Sequence, residues 1–487
     1  FLTNVRRAAY GAATASALWT DMAERDLTTG ALWDHLRAMV GPAALGMLFS
    51  TLYNVVDTFY AGWISTEAQA GLSVSFAVFM VLTAFGFGLS QGASALIAAA
   101  LGERDEGAAR ATAAQALTSA AALGAGLALV GVFASGAGLR ALGAEAGVLE
   151  AAESYLRLLF LGLPSFLIGF TANGILTAQG DTSSNRTAQM AAFAANLALN
   201  PLLIYGAFGL PGLGFDGIAV STVLTQTGVA FWLVRRALAA RALRGVRLAD
   251  AAPTARVIGA LTRQGAPISF SVIVMMLGAV ILQSHLQPFG AAAVAGYGVA
   301  FRVEQLILLP ILSISFSFMP MAAQNFGAGD HDRVRQAATL AAAVALGVAL
   351  VGAVALAVFG AAMTAVFTSD PAAVAAGAAY LAVAATMMPA YTAMFLVTAL
   401  LQGLQRPIWS VAIGLYRQVF ALIVFPPLFI GAGWGFDGVW AGLFVAVWSG
   451  FALSLFVAAR VARGSIGGLR VDGAALPGWV RIGAAAR

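Results

Sequence analysis

The sequence predicts an all-α integral membrane protein: twelve transmembrane helices in two six-helix bundles, related by a parallel internal repeat, with a central cleft. Three observations predict it. The 487 residues are 60% hydrophobic and only 10% charged, with a mean hydropathy of +0.87, whereas a soluble domain carries about 25% charged residues. Arginine supplies all 26 basic residues and gathers on alternate loops. Residues of less common types recur at a fixed offset of 225 positions.

A bilayer-spanning helix needs about 20 mainly apolar residues. By that template the first bundle has spans at approximately 36–60, 69–100, 111–136, 152–178, 187–207 and 214–236. Pro42, Pro164 and Pro201 fall within them, which membrane helices tolerate where neighbours satisfy the freed carbonyls. The second bundle has spans at approximately 264–288, 292–324, 336–360, 373–402, 407–430 and 436–459, with Pro267, Pro310, Pro320 and Pro389. Abundant Gly and Ala suit close helix packing in lipid. The expected organisation is an N-terminal segment 1–35, a first bundle 36–236, an Arg-rich linker 237–263, a second bundle 264–460 and a tail 461–487.

With residue 1 on the cytoplasmic side, one set of segments holds nearly every loop arginine. It includes Arg104, Arg110, Arg186, seven arginines between Arg235 and Arg263, Arg333, Arg335, Arg406 and the tail. The six loops on the other side hold only Arg140. This is the positive-inside pattern and places both termini in the cytoplasm. It also explains the net charge of +5 without nucleic acid. Arg6-Arg7 before a mild apolar stretch makes a poor signal peptide. The absence of cysteine excludes disulfides and thiolate chemistry.

Pro42 and Pro267, Arg110 and Arg335, Tyr155 and Tyr380, and Pro164 and Pro389 all share the offset of 225. Gly214-Phe215-Asp216-Gly217 returns as Gly435-Phe436-Asp437-Gly438. Six spans per repeat make both halves insert the same way, as in transporters built from two bundles.

Two acids lie well inside spans, Asp57 and Glu304. An acid at the centre of a membrane helix costs about 2.5–3.5 kcal/mol to insert, so each is a functional candidate. Ser50, Tyr53, Asn54, Asp57 and Tyr60 follow helical spacing and share one face. Asn196 and Asn200 share a face of the fifth span. Carboxylate, amide and hydroxyl oxygens suit a proton or a hard cation such as sodium, and Asp57, Asn196 and Asn200 are the candidate sodium ligands. For Glu304, an ion pair with Arg417 stands level with a transport role. Tyr297, Met388, Tyr391 and Phe395, with Glu304, are the candidate cleft for aromatic-bearing substrates. No phosphate-binding loop or zinc motif is present, which argues against ATP-driven or enzymatic chemistry.

These residues resemble the multidrug and toxic compound extrusion family over residues 32–460. The carrying stretches are Leu52-Tyr53-Asn54-Val55-Val56-Asp57, Ala61-Gly62, Ala70-Gly71-Leu72-Ser73, the loop Gly102 to Arg110, Pro310, and Gln324-Asn325-Phe326-Gly327-Ala328-Gly329. Ala323 stands where the family's signature has its first glycine. The major facilitator loop after the second span is absent; the chain reads Gly102-Glu103-Arg104-Asp105. The resemblance implies a secondary antiporter that exports organic cations or amphipathic drugs in exchange for protons or sodium. It assigns the ion site to Asp57, with Asn196 and Thr222; Asn200 replaces an aspartate that some members carry. The acids that other members have in spans seven and ten are missing here. The expectation is a multi-pass protein of the bacterial plasma membrane, monomeric, without cofactor or nucleic acid. A flippase for lipid-linked precursors and a passive channel are the alternatives.

Overall fold

The computed structural model describes residues 24–141, 146–207, 209 and 211–470. Much of the expected N-terminal segment 1–35 and of the tail 461–487 lies outside the described residues, including Arg6, Arg7, Arg481 and Arg487.

Among the described residues the regular structure is entirely helical. The first half comprises α1 (Leu32–Ile64), α2 (Thr66–Gly102), α3 (Glu106–Ala141), α4 (Ala146–Thr177), α5 (Ser183–Tyr205) and α6 (Asp216–Ala239). The second comprises α7 (Ala255–Leu286), α8 (Ala291–Gly327), α9 (His331–Ala365) and α10 (Pro371–Gly403), followed by one helical run, Ile408–Ile466. Eleven such stretches are long and apolar enough to cross a bilayer. In hydrocarbon every backbone N–H and C=O must be satisfied within the segment, and a helix does this alone.

The last run has 59 residues, about 90 Å at 1.5 Å per residue, some three times the hydrocarbon thickness. It turns back on itself. Gly433 and Gly435 take φ of 92° and 54°, left-handed values that glycine adopts without steric cost. Beyond the turn, a Cβ on Gly442 would come within 2.3 Å of the Pro426 nitrogen, so the two arms pack against each other. They are α11, which contains Ala421–Phe429 and a π-helical turn at Tyr416–Phe420, and α12 (Gly435–Ile466). Twelve membrane helices result among the described residues, six per half.

The helices are longer than the expected spans, although a few ends fall one or two residues short, because a hydropathy template measures only the apolar crossing. The largest difference is at α7, which starts at Ala255 inside the stretch expected as linker. Thr254 accepts a hydrogen bond from the Val257 N–H and caps that start. The rest of the linker carries short 3-10 turns at Arg241–Leu243 and Leu248–Ala251. Asp250 of the second turn pairs with Arg110 of α3 at 3.3 Å.

Each half has its own apolar core. A third core joins the halves at the face where α1 begins and α2 and α8 end, built from Leu36, Met39, Ala95, Ile314 and Phe318 among others. The seam is close. A Cβ on Gly92 would lie 2.8 Å from the Gly265 nitrogen. A Cβ on Gly102 would lie 1.9 Å from the Gln324 carbonyl oxygen, and one on Gly327 would lie 2.1 Å from that of Ala99. Gly102 and Gly327 are repeat partners, so the ends of α2 and α8 meet reciprocally about the pseudo-symmetry axis. From this seam to the Phe87–Phe316 ring pair at 5.8 Å the halves touch; towards the opposite face each keeps a separate core.

Candidate functional site

Asp57 is buried inside the first bundle, where α1 meets α5 and α6. Its Oδ1 accepts from the side-chain amides of Asn196 and Asn200, each at 2.9 Å, and its Oδ2 accepts from the Thr222 hydroxyl at 3.1 Å. Asn196 and Asn200 are one turn apart on α5, so a single helix face delivers both amides. Asn200 Nδ2 also lies 3.3 Å from Asn196 Oδ1. Pro201 has no N–H to give the Leu197 carbonyl, and the Tyr60 hydroxyl donates to that oxygen at 3.4 Å.

Three donors suit an ionised carboxylate, and charge-assisted bonds of this kind are strong. The protonated form fits as well, since a hydroxyl both donates and accepts: a proton on Oδ2 would be donated to Thr222 Oγ1. Asn200 Oδ1 is buried with no hydrogen-bond partner. A cation held here would find oxygens on Asp57, Thr222 and, with the amides turned, Asn196 and Asn200. These donors fit sodium. Below them the hydroxyls of Tyr53 and Thr225 lie 2.7 Å apart. Thr225 directs its own hydrogen to the Ser221 carbonyl at 2.8 Å, so Tyr53 is the donor of that pair.

Of the predicted ion-site residues, the structure gathers Asp57, Asn196, Asn200, Thr222 and Tyr53. Asn54 stands apart: it is exposed and donates to the Ser50 carbonyl at 2.7 Å.

In the second half, Glu304, Tyr297 and Met388 are buried in the bundle core, while Tyr391 and Phe395 are half-buried at its edge. The Tyr380 hydroxyl donates to Glu304 Oε2 at 2.5 Å, and Glu304 Oε1 is buried without a partner. The ion pair with Arg417, one of the two readings for Glu304, does not form: the Arg417 guanidinium lies over the Tyr391 ring at 5.3 Å. Arg302 points outward. Tyr297, Tyr380 and Trp440 pack ring to ring, with centroids 5.0–6.2 Å apart. Hydropathy and charge do not bring Tyr380 to the site; its repeat partnership with Tyr155 is the signal that marks it.

The MatE family model matches residues 42–202 and again residues 267–427. The chain belongs to the MatE family. The two MatE matches start at Pro42 and Pro267, one repeat apart, so each bundle contains one MatE unit. Among curated MatE relatives, a probable multidrug resistance protein of Bacillus subtilis is 27% identical over 63% of this chain and 67% of its own length. An FAD transporter of Shewanella oneidensis is 27% identical over 83% of this chain and 89% of its own. The multidrug export protein MepA of Staphylococcus aureus is 25% identical over 83% and 88%. Among solved structures, an outward-facing multidrug resistance MATE transporter superposes with a TM-score of 0.84 at 24% identity, covering 90% of this chain and 98% of that one. A Pyrococcus furiosus transporter of the wider superfamily does so with a TM-score of 0.84 at 23% identity, covering 91% and 98%. The fold of this MatE transporter is therefore that of the solved members.

Proposed function

We propose that this MatE transporter is a secondary active antiporter of the plasma membrane, exporting organic cations or other amphipathic molecules in exchange for protons or sodium at Asp57. The observation that carries the reading is the Asp57 carboxylate held by three donors from two other helices. An intramembrane acid so placed can be neutral or charged with little rearrangement, which a coupling site requires. It lies inside the first bundle rather than on the seam, so ion occupancy acts by repacking α1 against α5 and α6. Substrate then responds to the changed wall of the cleft, a shift between states that bind it differently.

The Arg-rich face, where the halves meet, is the cytoplasmic one by the positive-inside rule. The state described here is then closed to the cytoplasm and faces outward, ready to release substrate and take up an ion. Two of the relatives named above are multidrug proteins and one carries FAD, so FAD joins cationic dyes as a test substrate.

The experiment is efflux from proteoliposomes under proton and sodium gradients imposed separately. Efflux of dye or FAD driven by one gradient supports antiport and names the ion. Substrate movement that is equal with and without either gradient would indicate a channel or a passive carrier.

A further inference from the structure

The segment just before α1 lies across the seam. Leu27 is fully buried in the core that joins the halves. Its N–H donates to Gln324 Oε1 at 3.0 Å, and its carbonyl accepts from Asn325 Nδ2 at 3.0 Å. Arg333 Nη2 reaches the carbonyls of Thr29 and Gly30 at 3.1 and 3.0 Å, while its Nε donates to Asn325 Oδ1 at 2.9 Å. All three gripping side chains belong to the second half. On the first half, the Arg25 N–H donates to the Gln179 carbonyl at 2.8 Å, and Gln324 Nε2 crosses the seam to the Ala178 carbonyl at 2.7 Å. Gln324 thus ties the segment and both halves together.

Helix packing alone does not require this pair. At the offset of 225, Gln324 and Asn325 correspond to Ala99 and Ala100, which pack the same reciprocal seam without polar side chains. A cavity of about 150 Å3 under the segment is lined by Glu24, Asp26, Leu101, Gln179 and Gln324 among others. Water entering there can take over each hydrogen bond as it breaks.

We infer that residues 25–30 form a cytoplasmic latch, seated on Gln324, Asn325 and Arg333, that holds the inner gate shut and must lift for the transporter to face inward. The inference rests on the alternating-access reading above, but its test reads conformation and not transport, so the two can fail separately.

The chain has no cysteine, so introduced thiols report alone. Spin labels at Ala108→Cys and Arg406→Cys, one on each half at the inner face, measure the gap in the full-length protein in nanodiscs. Gln324→Ala, Asn325→Ala and Leu27→Ala should each raise the long-distance, inward-open population by about tenfold, the shift expected from losing roughly 1.4 kcal/mol of closed-state contact. Unchanged distances in all three variants would overturn the latch. Maleimide labelling of Leu27→Cys gives a measurement without loss of the polar contacts. The thiol should be protected when the halves are closed and react when they part. A thiol that stays protected while the labels move apart would also overturn it.

Discussion

Asn200 donates its side-chain N–H to Asp57 Oδ1 at 2.9 Å, while its own Oδ1 is buried without a partner. The amide therefore serves the carboxylate at the expense of its own oxygen. Hydrogen bonds to charged groups contribute about 1.5–3 kcal/mol each, and that of Asn200 favours the ionised form of Asp57. Removing it penalises that form more than the neutral one, in which Oδ1 is a weaker acceptor. Asn200→Ala should lower the thermal unfolding temperature at alkaline pH and approach the parent at acidic pH, where Asp57 is neutral. Equal destabilisation at both ends of the pH range would separate Asn200 from the ionisation of Asp57.

The Glu304–Tyr380 pair predicts an ordering of variants. Glu304→Gln keeps an oxygen for the Tyr380 hydroxyl and removes the ionisable group. Tyr380→Phe leaves Glu304 buried with no donor, a loss of about 1–3 kcal/mol or more. Tyr380→Phe should therefore unfold at the lower temperature of the two. With folding preserved, efflux by Glu304→Gln reports whether this acid takes part in transport: loss of efflux assigns it a role, and parental efflux makes it a structural group.

The reciprocal approach of Gly102 and Gly327 predicts coupled effects. A valine at either position meets backbone at a distance no Cβ can occupy, and such overpacking costs about 1–3 kcal/mol. Gly102→Val and Gly327→Val should each disfavour the closed seam and reduce transport. Their double variant should lose less stability than the sum of the singles, because one parting of the two helix ends relieves both clashes. Additive losses measured by thermal unfolding would contradict a shared displacement.

Much of the fold was legible because bilayer thickness, helical rise and the arginine bias are local quantities. The repeat exposed the pseudo-symmetry, and rare ionisable residues in apolar spans exposed Asp57 and Glu304. Thr222 came from the family resemblance and not from spacing. What escaped depends on how each helix is rotated in the bundle. Asn54 lies about 60° round the helix from Asp57 on one side and Tyr53 about 40° on the other; α5 and α6 cover only the side that holds Tyr53. Glu304 offered a mainly apolar stripe and two roles of equal standing, an ion pair with Arg417 or a part in transport, and only the packing of α8 on α10 shows that the Tyr380 hydroxyl reaches it. The double crossing of Ile408–Ile466 was legible from the repeated Gly-Phe-Asp-Gly stretch, although helical structure continues almost through the turn.

Topology has its own test. A reporter inserted at Gly209, between α5 and α6, should read as external, and one at Leu248, fully exposed on the Arg-rich linker, should read as cytoplasmic. The same reading at both positions would refute the assigned orientation.

Asp57→Asn removes the proposed coupling group and little else. Asparagine keeps the shape and one oxygen for Asn196 and Asn200, but it neither titrates nor carries charge to hold a cation. The measurement is substrate efflux from proteoliposomes at matched protein levels, with and without an imposed proton or sodium gradient. If Asp57 couples transport to the ion, the variant inserts, binds substrate and exports at the same low rate whether or not the gradient is present. Gradient-driven efflux at the parental rate would contradict it and place ion coupling elsewhere in the molecule.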